Sequence, residues 1–226
     1  MSMNKQEKFK DLETMPNVFQ NYDWSRPQLT HEKQEVVMKG KWKEYFQNDH
    51  PIVLELACGY GEYSMAIAKQ HPEKNVIGID MKGNRLWTGA TFMLDNGLKN
   101  AAFIRSNIDR LPFYFAPQEV SEIWIPFADP YRKPRKAIKR LTSSHFLDIY
   151  RQIMVPNGLI HVKTDSDILY EFTMKTIATW KLEIVKNYPD LYQTDFKDPL
   201  LGVKTRYEAM NPSGSDTIKY VCFKLS

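Results

Sequence analysis

The sequence predicts an α/β fold: a mostly parallel, seven-stranded sheet with helices on both faces. Two observations carry the prediction. Short runs rich in Val, Ile and Leu alternate with longer segments of helical spacing. Several of these runs also end on an acid or a glycine-containing turn, as strands do where they deliver side chains to a ligand at the carboxyl edge of a sheet.

Taken in order, residues 1 to about 30 carry Lys, Glu, Asn and Gln with two prolines and little periodicity. They are expected to form an N-terminal arm, free to flex, whose Phe19, Tyr22 and Trp24 can dock on a surface, and residues 31–226 to form a single domain. Val36, Val37, Met38, Trp42, Tyr45 and Phe46 suggest an amphipathic helix from Glu32 to Phe46. After Pro51 the pattern changes. Ile52 to Leu56 reads as a strand, Gly59 and Gly61 as a turn, and Met65 to Ala68 as part of a helix that ends near His71 and Pro72. Asn75 to Asp80 is the second strand, followed by a helix from Lys82 to Asn96. Strands at Ala101 to Arg105, Ser121 to Phe127 and Gly158 to Lys163 follow, with helices at Leu141 to Met154 and Asp167 to Trp180. Leu182 to Tyr188 and Ile218 to Leu225 complete the seven strands. A connection of about 30 residues, rich in Pro, Asp and Gly, joins the last two, and connections of that length usually carry function.

The chain has 226 residues, 42% hydrophobic and 26% charged, which suits one sizeable core. Its net charge of +4 is too small to name a partner, but six of the ten residues from Tyr131 to Arg140 are Lys or Arg. Cys58 and Cys222 stand far apart with no CxxC pair or nearby His cluster, so neither a disulfide framework nor a metal site is expected. The opening MSMNKQEKFKDLETMPN has no apolar signal region and no run reaches membrane-spanning length, so a cytoplasmic protein without membrane contact is expected. Whether it works as a monomer or a homodimer is left open.

Glu55 sits near the end of the first strand, Gly59 and Gly61 form the turn after it, and Asp80 ends the second strand. A dinucleotide site would continue as G-x-G-x-x-G, but the third position is Ser64, and Glu55 and Glu62 would repel a diphosphate. S-adenosylmethionine carries a sulfonium, an amino group and two ribose hydroxyls that Asp80 can accept as hydrogen bonds, so the pattern suits that cofactor better. Asn107, past the third strand, stands where the adenine would be held, although an ordinary turn asparagine fits nearly as well. Asp129 follows the fourth strand, beside the cofactor loop. Methyl transfer is an in-line displacement that depends on positioning, and a guanine N7 needs no proton removed. Asp129 can then orient the guanine or the sulfonium face while the basic residues behind it hold RNA phosphates. A solvated helix start is the plainer reading of that basic run.

The motifs VLELACGYGEYS, VIGIDMKGNRLW, FADPYRKPRKAIKRLTSSHFL, HVKTD and TRYE, in this order and spacing from about Ile52 to Glu208, resemble the bacterial tRNA (guanine-N7-)-methyltransferases. These are Rossmann-like class I methyltransferases that use S-adenosylmethionine to methylate the variable-loop guanine at position 46. The resemblance implies that Glu55, Asp80, Asn107 and Asp129 bind the cofactor beside Gly59 and Gly61, with Asp129 also catalytic. It implies that Lys133, Asp165, Thr205, Arg206, Tyr207 and Glu208 contact the substrate nucleoside or its surroundings. Arg132, Arg135, Lys136, Lys139 and Arg140 are expected to contact tRNA phosphates.

Three departures from the family pattern stand out: Ala57 where the family has Gly, Tyr131 where it has Trp, and Pro134 within the basic loop. Ala57 is tolerable if its φ is negative, and Tyr131 keeps a face that can stack on a base. Two other functions stay open. D-P-Y is one proline short of the D-P-P-Y of exocyclic amino-group methyltransferases, and a non-catalytic RNA-binding module could retain the cofactor pocket. His145 and His161 are expected to be packed or capping residues, and Trp87, Trp124 and Trp180 core residues.

Overall fold

The computed structural model describes residues 3–23, 25–210, 215 and 217–226. Its strands are Val18–Gln20 (β1), Leu29–His31 (β2), Gln34–Val36 (β3), Ile52–Leu56 (β4), Asn75–Asp80 (β5), Ala101–Arg105 (β6), Val120–Pro126 (β7), Met154–Thr164 (β8), Ile184–Tyr188 (β9) and Lys219–Leu225 (β10). The helices are Lys5–Asp11 (α1), Trp42–Phe46 (α2), Glu62–Gln70 (α3), Gly83–Asp95 (α4), Leu111–Tyr114 (α5), Ser144–Arg151 (α6), Asp167–Trp180 (α7) and Arg206–Met210 (α8). One sheet of ten strands runs in the order β3-β2-β1-β6-β5-β4-β7-β8-β10-β9.

The six strands from β1 through β6, β5, β4 and β7 to β8 are mutually parallel, and β10 lies antiparallel between β8 and β9. Continuous burial along β4 and most of β5 and β7 is what a parallel sheet covered on both faces requires. Ile52, Leu54 and Leu56 point into a core shared with Trp42, Tyr114, Phe146 and Leu169. Val53 points the other way, into a core with Tyr63, Ile67, Leu86 and Trp124. Strand order reverses at β4, whose neighbours are β5 and β7, so a crevice is expected at the carboxyl ends of β4 and β7.

The sheet has ten strands rather than the expected seven because the N-terminal segment supplies three of its own. Val18 to Gln20 pair in parallel with Phe103 to Arg105, and the backbone N–H of Phe103 donates to Asn17 O at 2.8 Å. Leu12, Met15, Val18 and Phe19 are buried, so this segment is core rather than a free arm. Phe19 stacks on His31 at 4.3 Å and meets Trp42 edge-on at 5.0 Å. Tyr22 stays exposed, and Trp24 lies outside the described residues.

The helix expected from Glu32 to Phe46 is confined to α2. Glu32 and Lys33 take φ of 47° and 68°, a two-residue hairpin turn of left-handed residues that joins β2 to β3. The helix expected from Leu141 to Met154 shortens to α6, and Met154 already belongs to β8. His161 is packed as expected: its ring lies 4.0 Å from that of Trp124, with Nδ1 on the Tyr220 hydroxyl at 2.7 Å and Nε2 beside Glu122 at 3.2 Å. Burial alone would raise the pKa of Glu122, but the bonds from His161 and Lys74 outweigh it and hold the carboxyl down to about 2. His145 pairs with Asp109 at 2.6 Å. Trp124 is buried, whereas Trp87 and Trp180 are only half-buried.

Phe19 is therefore a core residue of the sheet's N-terminal extension. Phe19→Ala should cost about 3–5 kcal/mol, read as a lower urea midpoint at unchanged slope. A midpoint at the wild-type value would mean that the segment does not support the fold.

Candidate active site

The loop after β4 is built on left-handed backbone at alternate residues, with φ of 55° at Ala57, 55° at Gly59 and 77° at Gly61. Ala57 thus does not have the negative φ under which it would be free of strain, and an L-residue there costs about 1 kcal/mol or more. Gly61 donates to Cys58 O at 2.7 Å, and a Cβ on it would meet the Phe103 ring at 2.9 Å, so this position requires glycine. A Cβ on Gly59 would meet nothing within 4 Å, so the loop opens to one side there.

Two acids hold the loop. Asp80, at the end of β5, accepts the Gly59 N–H on Oδ2 at 2.9 Å and the Lys82 N–H on Oδ1 at 2.7 Å, joining the loop to the start of α4. Glu55, 1% exposed on β4, accepts both the N–H and the hydroxyl of Ser64 on Oε2 at 2.6 Å. Its Oε1 is buried without a partner. Burial pushes this carboxyl up to about 8, with the Ser64 bonds pulling the other way. Glu55 is thus an interior acid beneath the loop, not a surface one. Asn107 caps the short 3-10 turn Ile108–Arg110, accepting the Asp109 N–H at 3.4 Å.

Beyond β7 the chain turns at Phe127, with φ of 51°, whose N–H donates to Lys163 O at 2.8 Å. Asp129 is exposed and accepts the Tyr131 N–H at 2.8 Å. Arg132, Lys133, Arg135, Lys136 and Lys139 are exposed on and around the 3-10 helix Pro134–Lys139. Arg140, expected to contact phosphate, is not presented with them. It is 6% exposed, donates to Pro130 O at 2.8 Å and Tyr131 O at 3.1 Å, and lies over the Phe172 ring at 4.5 Å. Its charge satisfies the carbonyls of the Asp129 loop from beneath.

Asp165 follows β8, half-exposed and without a hydrogen-bond or ion-pair partner among the described residues. The 205–208 segment reaches the glycine loop after β4 from the long connection. Arg206 N–H donates to Glu62 at 3.1 Å, its guanidinium lies 4.3 Å over Tyr60, and the Tyr207 hydroxyl accepts from Arg85. Thr205 is buried and accepts the Glu208 N–H at 3.2 Å. The Glu208 carboxylate turns inward, with the ammonium of Lys163 at 3.0 Å and the Tyr192 hydroxyl on its other oxygen.

The structure therefore gathers Glu55, Gly59, Gly61 and Asp80 into one hydrogen-bonded unit and docks residues 206 and 207 against it. Asp129 and Asp165 follow neighbouring strands, joined in register at Pro126 and Lys163. Sequence reasoning missed Tyr60, Arg85 and Lys163, and it placed Glu62 beside the loop without its bond to the Arg206 N–H. A signal existed only for Lys163, a charged residue inside a strand whose flanking residues are buried. Among the described residues, no group of three or more His, Cys, Asp or Glu side chains is arranged to hold a metal ion.

Comparison with known proteins agrees with this architecture. Residues 49–219 match a family described as "Putative methyltransferase". A tRNA (guanine-N(7)-)-methyltransferase of Bacteroides thetaiotaomicron is 45% identical over 226 residues, covering 100% of this chain and 87% of the relative. Its counterpart in Christiangramia forsetii is 42% identical, covering 99% of each. The crystal structure of the 16S rRNA methyltransferase KamB superposes with a TM-score of 0.63 over 86% of this chain and 97% of that one, at 15% identity, and so shares the fold. With the match spanning essentially the whole chain at 42–45% identity, the chain belongs to the tRNA (guanine-N(7)-)-methyltransferase family.

Proposed function

We propose that this protein transfers a methyl group from S-adenosylmethionine to N7 of the variable-loop guanine, position 46, of cytoplasmic tRNA. The observation that carries the reading is whole-length identity of 42–45% to relatives named tRNA (guanine-N(7)-)-methyltransferase, together with an acid-held glycine loop at the switch point of the sheet; position 46 is the site that the resemblance of the sequence motifs implies.

The residues present fit the cofactor. Gly59 faces open space, and the Glu62 and Asp80 carboxylates beside the loop suit an amino and sulfonium group and oppose a diphosphate. The unpartnered Oε1 of Glu55 supports a ligand or water N–H or O–H reaching it. When bound, S-adenosylmethionine supplies an electrophilic methyl carbon on a sulfonium.

Asp80 has lone pairs left for ribose hydroxyls after binding the Gly59 and Lys82 N–H groups. Asn107, which caps the turn after β6, would be the residue to hold the adenine. Asp129, exposed and fixed by one bond to Tyr131, orients the guanine edge, whose N7 lone pair attacks without a general base. Asp165 has a free carboxylate to accept guanine N–H groups. Arg206 and Tyr207 are already held against the cofactor loop, so they frame the base from that side. Lys133 and the exposed Arg132, Arg135, Lys136 and Lys139 take the phosphates. No described helix is long and apolar enough to cross a membrane.

Incubation with labelled S-adenosylmethionine and unmodified tRNA, followed by reduction and aniline cleavage, should break the RNA at the variable-loop guanine. Label without cleavage there would move the target to another atom or site. Asp129→Asn should lower kcat/KM on the order of 100-fold with an unchanged unfolding midpoint, because a carboxamide oxygen still accepts the Tyr131 N–H. Turnover close to wild type would remove Asp129 from the chemistry. Replacing Lys136 and Lys139 together by Ala should flatten the slope of log K against log salt by about 0.7–0.9 per lost contact. Arg140→Ala should instead lower stability, since that side chain is buried among carbonyls.

A further inference from the structure

We propose that Lys163 is a positioning residue, an internal anchor that fixes the 205–208 segment for tRNA without touching the RNA itself. The proposal rests on the functional reading above. Lys163 lies on β8 and is 1% exposed. Its ammonium has three protons, and four acceptors surround it: Val203 O at 2.8 Å, Leu201 O at 3.0 Å, Glu208 Oε2 at 3.0 Å and the Tyr192 hydroxyl at 3.2 Å. All four belong to the long connection between β9 and β10.

Burying an ammonium carries a large desolvation cost, and a packed aliphatic side chain would serve a sheet position without it. What the charge adds here is geometry. Two carbonyls and a carboxylate from one stretch of connection must converge on a single atom, and that fixes where Thr205, Arg206 and Tyr207 emerge. Tyr192 closes the arrangement by donating to the second oxygen of Glu208. The backbone oxygen of Lys163 also accepts the N–H of Phe127, two residues before Asp129. One residue thus ties the Asp129 loop through its main chain and the 205–208 segment through its side chain, so that both sides of the pocket share an origin.

The test compares wild type with Lys163→Met, with the double variant Lys163→Met/Glu208→Leu, which leaves no unpaired buried charge, and with Tyr192→Phe, at a residue 37% exposed whose change spares the fold. KM for tRNA should rise about tenfold or more in the two lysine variants and a few-fold in Tyr192→Phe, while affinity for S-adenosylmethionine by calorimetry stays within about twofold. Trypsin should cut faster after Lys204 or Arg206 in both lysine variants. Wild-type KM for tRNA in Tyr192→Phe and in a folded lysine variant would overturn the anchor, as would an equal loss of cofactor affinity. If both lysine variants fail to fold, Tyr192→Phe decides. A wild type that methylates no tRNA would instead overturn the functional reading, and the trypsin rates alone would then judge the anchor.

Discussion

Asp80 accepts the backbone N–H of Gly59, and the carboxyl edge of the sheet takes its shape from that bond. The loop it holds has left-handed backbone at Ala57, Gly59 and Gly61, and such a loop keeps one conformation only if its free N–H groups are satisfied from outside. The same carboxylate satisfies Lys82 at the start of α4, while Glu55 satisfies Ser64 in the first turn of α3. Two acids on adjacent strands therefore set the loop and both helices that flank it. The strain at Ala57 is contained within this arrangement.

Three buried charged side chains each gather several polar partners. Arg140 collects the carbonyls of Pro130 and Tyr131, Lys163 collects Leu201, Val203 and Glu208, and Glu122 collects Lys74, Trp124 and His161. The exposed cations of the 132–139 stretch have no such role, which leaves them free for an anionic partner.

The parallel centre of the sheet was legible because its strands are short, apolar and separated by helices of clear period; α7 falls on the expected Asp167–Trp180. The N-terminal strands were not, since β1 to β3 are three residues each and their apolar side chains follow turns rather than a period. A Glu-Lys pair at a left-handed hairpin turn gives no Gly or Asn signal. Within the site, Glu55, Gly59, Gly61 and Asp80 could be found from their spacing at strand ends. The orientation of Arg140 and Glu208 could not, because each is turned inward by partners distant along the chain or in a separate element, and a run of like charges does not reveal which member is buried.

We propose that one acid, Asp80, both shapes the loop and receives the cofactor. A crystal structure of the protein with S-adenosylhomocysteine would decide this. The ribose hydroxyls should bond Asp80 while that carboxylate keeps the Gly59 N–H, with the homocysteine portion over the opening at Gly59. A ligand bound away from the ends of β4 and β5, or one that displaces Asp80 from Gly59, would contradict it.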